Sequence, residues 1–462
     1  MAQKNQEPWS RVLLQSEISQ HVDLLLLVGA NLALAAALLS GGDTAVFAVV
    51  ALPAGIAAGI AIATRPQRGV LLLAALVPFD GLLLLAPFPA WVNGWKEVLV
   101  LLTFAATAVV PRAARVTGDR HLPPWLPAVA GMGLLALVSA VLIGGVQAVV
   151  SLKIGFFYLL VFAILWRCPL NAHERDRLVT ILMVTGCITA VVGIIQQIVG
   201  QEVLAALGYD YNVTIRTAGG FLRSFSTFNQ SFPFALFLML VLLIGLPVAL
   251  TDPRRLRNRL FLIGVPVYVL GLLTTIVRAA WMGLGIGLLY LGIRRFRSLL
   301  LPLPLALVAL LFLPSSLGAA ALSSSSSQER VSGWQSNVAT VLAHPLGAGI
   351  GASGSAAEKA AELAASNEPI YQPDNYYYKT LYELGLLGLW MLLLLLISAF
   401  TSVRAAASQV LGVDAALADG VSACVLAAAT VSTVATYFEI FPMDVYFWLL
   451  LGVIATYPTQ LR

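Results

Sequence analysis

Apolar runs of about twenty residues, separated by short polar connections, recur along nearly the whole of this chain and leave few folds open to it. In a bilayer only helices and closed barrels satisfy their own backbone polar groups, and each spanning helix needs about 20 apolar residues. With 59% hydrophobic residues over 462 positions and a mean hydropathy of +0.90, the chain reads as an all-α, polytopic membrane protein and not as a soluble enzyme. Taken as helices, the runs give about fourteen spans, centred near residues 32, 54, 78, 104, 137, 159, 189, 240, 268, 286, 306, 390, 426 and 451. Lys4, Glu7, Arg11, Glu17 and Asp23 precede the first run, which suits a short cytosolic leader better than a cleaved signal peptide. Cys168, Cys187 and Cys424 are odd in number and lack metal-site spacing, so neither a disulfide framework nor a zinc site is expected.

Basic residues give an independent check on the spans, because Lys and Arg concentrate in cytoplasmic loops. Of the 27 basic residues, 19 fall in one alternate set of connections, among them Arg65, Arg68, Arg175, Arg177, Arg254, Arg255, Arg257, Arg259, Arg294, Arg295, Arg297 and Arg404. The other eight are Lys96, Lys153, Arg216, Arg223, Arg278, Arg330, Lys359 and Lys379. With cytoplasmic termini, all eight lie on the outer side or in the outer helix ends. Cations placed there against the topology rule point to a shared anionic ligand. The net charge of +5 is what such topology produces, and it carries no nucleic-acid signal.

The chain reads as one membrane domain, residues 1–462, with one large outer loop over about 315–378 that carries short helices. This loop breaks the composition: only 11% of residues are charged, yet Arg330, Trp334, His344, Asp374, Asn375 and a Tyr run gather in or beside it. Trp334, Val338 and Val341 are spaced for a short helix with one apolar face, and Ala356 to Ala365 is a second helix on propensity. Gly55-x-x-x-Gly59 and Gly283-x-x-x-Gly287 suit close helix packing. Gly349-x-Gly351-x-x-Gly354 matches a dinucleotide fingerprint but lacks its strand and helix context. A flexible turn that moves or wraps a ligand is expected there.

Four outer segments carry candidate chemistry: Arg216 through Arg223 to Asn229-Gln230; Thr274-Thr-Ile-Val-Arg278-Ala-Ala-Trp281; Arg330-Val-Ser-Gly-Trp334 through His344-Pro-Leu-Gly-Ala-Gly349; and Asp374-Asn375 to Glu383-Leu-Gly-Leu-Leu-Gly388. In this order they resemble the O-antigen ligase and O-antigen polymerase superfamily of membrane glycosyltransferases, over about residues 150–400. Two positions depart from the family pattern. Val277-Arg278-Ala279 stands where Ser-Arg-Gly is usual, and Asp374 stands where ligases carry His, which favours a polymerase-like member.

The resemblance implies an inverting transfer of glycan from undecaprenyl diphosphate to an acceptor hydroxyl at the outer face of the cytoplasmic membrane, with no nucleotide sugar, metal or cofactor. Partners would be the lipid-linked donor, a glycan or lipid acceptor and the surrounding lipids. The residue types suit that chemistry. A departing diphosphate gains charge that guanidinium donors stabilise, and a hydroxyl becomes a competent nucleophile when a carboxylate takes its proton. Arg223 and Arg278 are the expected catalytic cations and Asp374 the base. Arg330, Arg216, Lys153, Lys96, Asn375, Tyr376 and Trp334 are expected to bind substrate. The tyrosines could equally form an interfacial belt, and Asp374 could instead cap the following helix. Asp80, in Pro78-Phe-Asp-Gly81, has Lys96 as a possible ion-pair partner. Ligation of glycan to a lipid or protein is the alternative within the class. A lipid-linked oligosaccharide flippase is the alternative outside it, although no repeated halves are evident.

Overall fold

The computed structural model describes residues 55–85, 90–109, 121–211, 213–301, 345–364 and 372–457. The spans expected near 32 and 306, the helix expected over 332–342, and Arg330, Trp334, His344 and Tyr371 lie outside the described residues.

Fourteen α-helices follow in chain order among these residues. They are α1 (Gly55–Thr64), α2 (Pro66–Leu76, continued by a 3-10 helix, Val77–Leu85), α3 (Trp95–Val109), α4 (Leu126–Ile143), α5 (Gly145–Phe156), α6 (Leu159–Arg167) and α7 (Ala172–Ala206). A two-stranded hairpin, β1 (Thr217–Ala218) and β2 (Phe221–Leu222), precedes α8 (Ser231–Thr251), α9 (Leu256–Thr274), α10 (Arg278–Arg294), α11 (Gly354–Ala364), α12 (Tyr376–Gln409), α13 (Gly412–Val431) and α14 (Met443–Ala455). Eight helices are long and apolar enough to cross a membrane, or nine if α5 and α6, bent by 44° at their break, form one span. These nine coincide with the spans expected near 78, 104, 137, 159, 189, 240, 268, 390 and 426. The runs near 54, 286 and 451 form shorter helices, α1, α10 and α14.

Helix starts follow local chemistry. Pro66 opens α2, where its missing N–H costs nothing. Asn171 and Glu174 form a reciprocal capping box on α7, each side chain taking the other's backbone N–H at 2.9 Å. The 34-residue α12 is broken at Gly385 (φ 65°, ψ −168°), and α7 at Gly200.

Apolar on every side, α8 is the centre of the bundle, as its composition requires: every residue from Pro233 to Ala249 is buried, with α7, α9, α10 and α13 packed around it. Small residues let these neighbours close in. A Cβ on Gly283 would lie 2.6 Å from Met239 Sδ, one on Gly287 2.5 Å from Leu243 Cδ2, and one on Gly420 2.8 Å from the Leu243 carbonyl oxygen. The close packing expected at Gly283-x-x-x-Gly287 is therefore present. At Gly55 and Gly59 no atom of the described residues lies within 4 Å of the corresponding positions.

The two ends of the bundle differ chemically. At one end Arg175 grips Asp414 through two hydrogen bonds (3.0 and 2.7 Å), Arg255 grips Asp176 through two more (both 2.6 Å), and Arg294 lies 3.6 Å from Asp419. The other end gathers the N-termini of α8, α10 and α12 with the C-terminus of α13. The position of Gly283 touches both Met239 of α8 and Val431 of α13, and the Tyr376 N–H of α12 donates to the Ser432 carbonyl.

Candidate functional site

Arg216 and Arg223 flank the hairpin. Its register pairs Thr217 with Leu222 and Ala218 with Phe221, and the Arg223 N–H donates to the Arg216 carbonyl at 2.8 Å. Gly219 and Gly220, both at positive φ, make the two-residue turn that such a hairpin needs. Directly opposite residues share one face, where like charges repel unless an anion lies between or beside them. Arg216 is exposed. Arg223 is half-buried, its Nε donates to the Thr275 carbonyl at 3.3 Å, and its guanidinium lies 5.9 Å from the Phe232 ring centroid. The Gly-Gly between β-formers was a legible hairpin signal that the sequence reading did not use.

The chain beyond Arg223 is clamped in place. Gln196 Oε1 accepts the N–H groups of Phe225 and Ser226 (3.1 and 2.7 Å), while its amide donates to the Ser226 carbonyl. Gln197 donates to the carbonyls of Leu222 and Thr274 and to Ser224 Oγ. Ser224 and Ser226 donate to carbonyls of α7, and Thr227 to Pro78. The Ser224 N–H bonds the Thr274 carbonyl at 3.0 Å, which joins this segment to the α9–α10 turn that leads into Arg278, the half-buried first residue of α10. Gln197, which ties the two arginine segments together, and Gln196, which holds the chain at Phe225 and Ser226, carried no motif in the sequence.

Ser226 (φ 55°) and Ile276 (φ 54°) are the non-glycine residues at positive φ among the described residues. One follows Arg223 by three positions and the other precedes Arg278 by two. For a β-branched residue such as Ile this conformation is strained, and strain of this kind clusters at functional sites.

At the start of α12, Asn375 is the cap. Its Oδ1 accepts the N–H groups of Tyr377 and Tyr378 (2.9 and 3.2 Å), and its amide donates to the Thr433 carbonyl at 2.9 Å. Asp374, one residue earlier, is exposed. The capping role considered for Asp374 is thus filled by its neighbour. Tyr376 packs on Phe438 with 5.2 Å between ring centroids, and Tyr377 Oη donates to the Ala429 carbonyl at 2.7 Å, so both rings are built into the bundle.

The third and fourth segments interlock. The break at Gly385 frees α12 carbonyls from their helical partners, and the Ala348 and Gly349 N–H groups take up those of Tyr382 and Glu383 at 2.7 and 3.0 Å. Gly347 (φ 95°) sits so close that a Cβ there would lie 2.5 Å from the Glu383 carbonyl oxygen, and one on Gly385 would lie 2.7 Å from the Pro345 oxygen. Gly351 (φ 79°) packs on the Gln147 backbone in the same way, and a Cβ on Gly349 would run into Ile143. The flexible ligand-wrapping turn expected here is instead a wedge seated in a broken helix, because its glycines serve close approach. The helix expected after it is present as α11.

Two expected substrate-binding cations have acidic partners. Lys96 Nζ is 3.0 Å from Asp80, which also accepts from Trp95 Nε1 at 2.8 Å, and Lys96 lies over the Phe441 ring. The Asp80–Lys96 pairing is as the sequence suggested. Lys153, half exposed, is 2.6 Å from Glu97. A buried group that sequence reasoning missed is Glu439, which meets Lys379 and Glu383 beneath the start of α12. Burial pushes its carboxyl up to about 7 against the opposing pull of Lys379. Two clefts, lined by residues that include Arg175, Asp176 and Asp414 or Trp125, Val403 and Tyr457, open at the opposite, arginine-rich end.

Many apolar helices long enough to span a membrane, packed around one wholly buried helix, define a polytopic helical membrane protein. Residues 263–393 match the family described as O-antigen ligase, so this part of the chain is similar to that family. The match runs from within α9 to within α12 and takes in Arg278, the glycine wedge, Asp374 and Asn375. Arg216, Arg223, Lys96 and Lys153 lie outside it. A comparison with curated proteins finds no match.

Proposed function

We propose that this protein joins polyprenyl-diphosphate-linked glycan units to an acceptor sugar hydroxyl at the outer face of the cytoplasmic membrane, as a polymerase-like, inverting, metal-independent glycosyltransferase. The acceptor oxygen attacks the anomeric carbon, and the bond from that carbon to the diphosphate oxygen breaks. The hydroxyl proton passes to the Asp374 carboxylate, and the diphosphate leaves with the bonding pair. Arg223 and Arg278 stabilise the charge that develops on it by charge-assisted hydrogen bonds, with Arg216 beside them. The observation that carries this reading is the bonding of the Arg223 segment to the turn before Arg278, with a strained residue close to each arginine.

Asp374, where ligases carry His, supports polymerisation. The match to the O-antigen ligase family favours a second reading, transfer of finished glycan to a lipid or protein acceptor. Deletion of the gene followed by gel analysis of surface glycans separates the two: single repeat units mark a polymerase, and unattached long chains a ligase. Complementation with Arg223→Ala or Arg278→Ala should leave the protein inserted at normal abundance and lower transfer by about 10²–10³, the usual loss when one charge-stabilising donor is removed. Wild-type glycan from both variants would remove the diphosphate clamp.

A further inference from the structure

Three stretches distant in sequence meet at one buried ammonium. Lys379 Nζ donates to Glu383 Oε1 at 2.6 Å and to the Ser353 carbonyl at 2.9 Å, and it lies 3.1 Å from Glu439 Oε1. The three side chains are only 4–6% exposed. Ser353 adds two donors to Glu383 Oε1, its N–H at 3.1 Å and its Oγ at 2.9 Å. Gly354 (φ 65°) leaves room for the cluster: a Cβ there would lie 3.0 Å from Lys379 Nζ and 3.1 Å from Glu439 Oε2. The knot therefore fastens the glycine wedge, the first turns of α12 and the short helix Tyr437–Glu439 to one another.

One ammonium compensates one carboxylate, and a second enclosed carboxylate is costly. Three donors converge on Glu383 Oε1. Glu439 has Lys379 as its donor among the described residues, and Glu358 of α11 and the Tyr376 hydroxyl of α12 are the other titratable groups that face it. The acid is the cheaper form for Glu439, in keeping with a carboxyl pushed up to about 7.

We propose that Glu439 is a positioning residue of the transfer site, whose protonation, relayed through Lys379, sets how firmly the first turns of α12, and with them Asp374, seat against the glycine wedge. The reference to Asp374 rests on the transfer reading above; the coupling within the knot does not. Because folding raises the affinity of Glu439 for its proton, the stabilisation is complete at low pH. It is lost as pH rises from the ordinary glutamate range through about 7.

The test is hydrogen–deuterium exchange of backbone amides 348–353 and 376–384 in the full-length protein in lipid nanodiscs at pH 6 and pH 8, corrected for intrinsic exchange, together with glycan transfer from a lipid-linked donor across the same range. Wild-type protection should fall by at least about threefold from pH 6 to pH 8 as local opening becomes easier. Glu439→Gln, which copies the protonated carboxyl, should hold its pH 6 protection at both values, and its transfer rate should no longer decline above pH 7. Wild-type protection that is insensitive to pH, or a Glu439→Gln protein that follows the wild type or fails to accumulate, overturns the coupling. Identical pH profiles of transfer in the two proteins overturn the positioning role. Absence of transfer in the wild type would instead sink the transfer reading and leave the exchange experiment to decide the coupling.

Discussion

Asp374 and Asn375 are adjacent and differ in what they do, which makes them separable by mutation. Asn375 spends its side chain on two N–H groups of α12 and on the Thr433 carbonyl, so Asn375→Ala should cost about 0.5–2 kcal/mol of stability, the range of a lost cap. Asp374 is exposed and the cap is elsewhere, so Asp374→Asn should leave the melting temperature of the detergent-solubilised protein unchanged. If Asp374 is the base, transfer by the same variant should drop by about 10²–10⁴, and Asp374→His should recover part of it. A near-wild-type rate for Asp374→Asn, measured with lipid-linked repeat units, would remove Asp374 from the chemistry. At this scale Arg223, Arg278 and Asp374 stood out in the sequence as polar groups in an apolar chain, and the structure bonds the Arg223 segment to the turn before Arg278. Gln196, Gln197, Lys379 and Glu439 did not stand out, because their partners lie on other elements and no local spacing announces a contact of that kind.

Among the elements, the wedge and the broken helix are the pair on which the site end depends. Gly347 combines a left-handed backbone with a neighbouring carbonyl where its side chain would be. Gly347→Ala should therefore lower stability by about 2 kcal/mol or more, since neither the backbone of α12 nor φ can yield cheaply. Gly59→Ala in α1 meets no atom of the described residues within 4 Å and is the control, expected to be neutral or slightly stabilising. Thermal unfolding of both variants in the same detergent makes the comparison, and equal melting temperatures would show that the wedge is not seated as described. Hydropathy located α12, and glycine spacing located the turn. Their engagement was hidden because a turn bonded to carbonyls some 35 residues later has the same composition as a mobile one.

For the whole molecule, apolar run length and the segregation of arginine foretold most of the architecture, because both respond to the bilayer and not to side-chain detail. The separation survives in three dimensions: Arg175, Arg255, Arg257 and Arg294 meet carboxylates at one end, while Arg223 and Arg278 stand with α12 at the other. The site end should then face outward. In intact spheroplasts of a cysteine-free background, an impermeant thiol reagent should label Glu362→Cys, exposed on α11, and spare Arg254→Cys, exposed before α9. The reverse pattern would invert the protein and put the chemistry in the cytoplasm. The seating of the wedge in α12 also bears on how such chains diverge. The Pro-x-Gly-x-Gly turn and the Glu-Leu-Gly break satisfy each other's backbone groups, so a change of one should be tolerated only with a matching change of the other. A transplant of one into a related scaffold strands the carbonyls of Tyr382 and Glu383 or the N–H groups of Ala348 and Gly349, whereas exchange of both together leaves every one of these groups its partner.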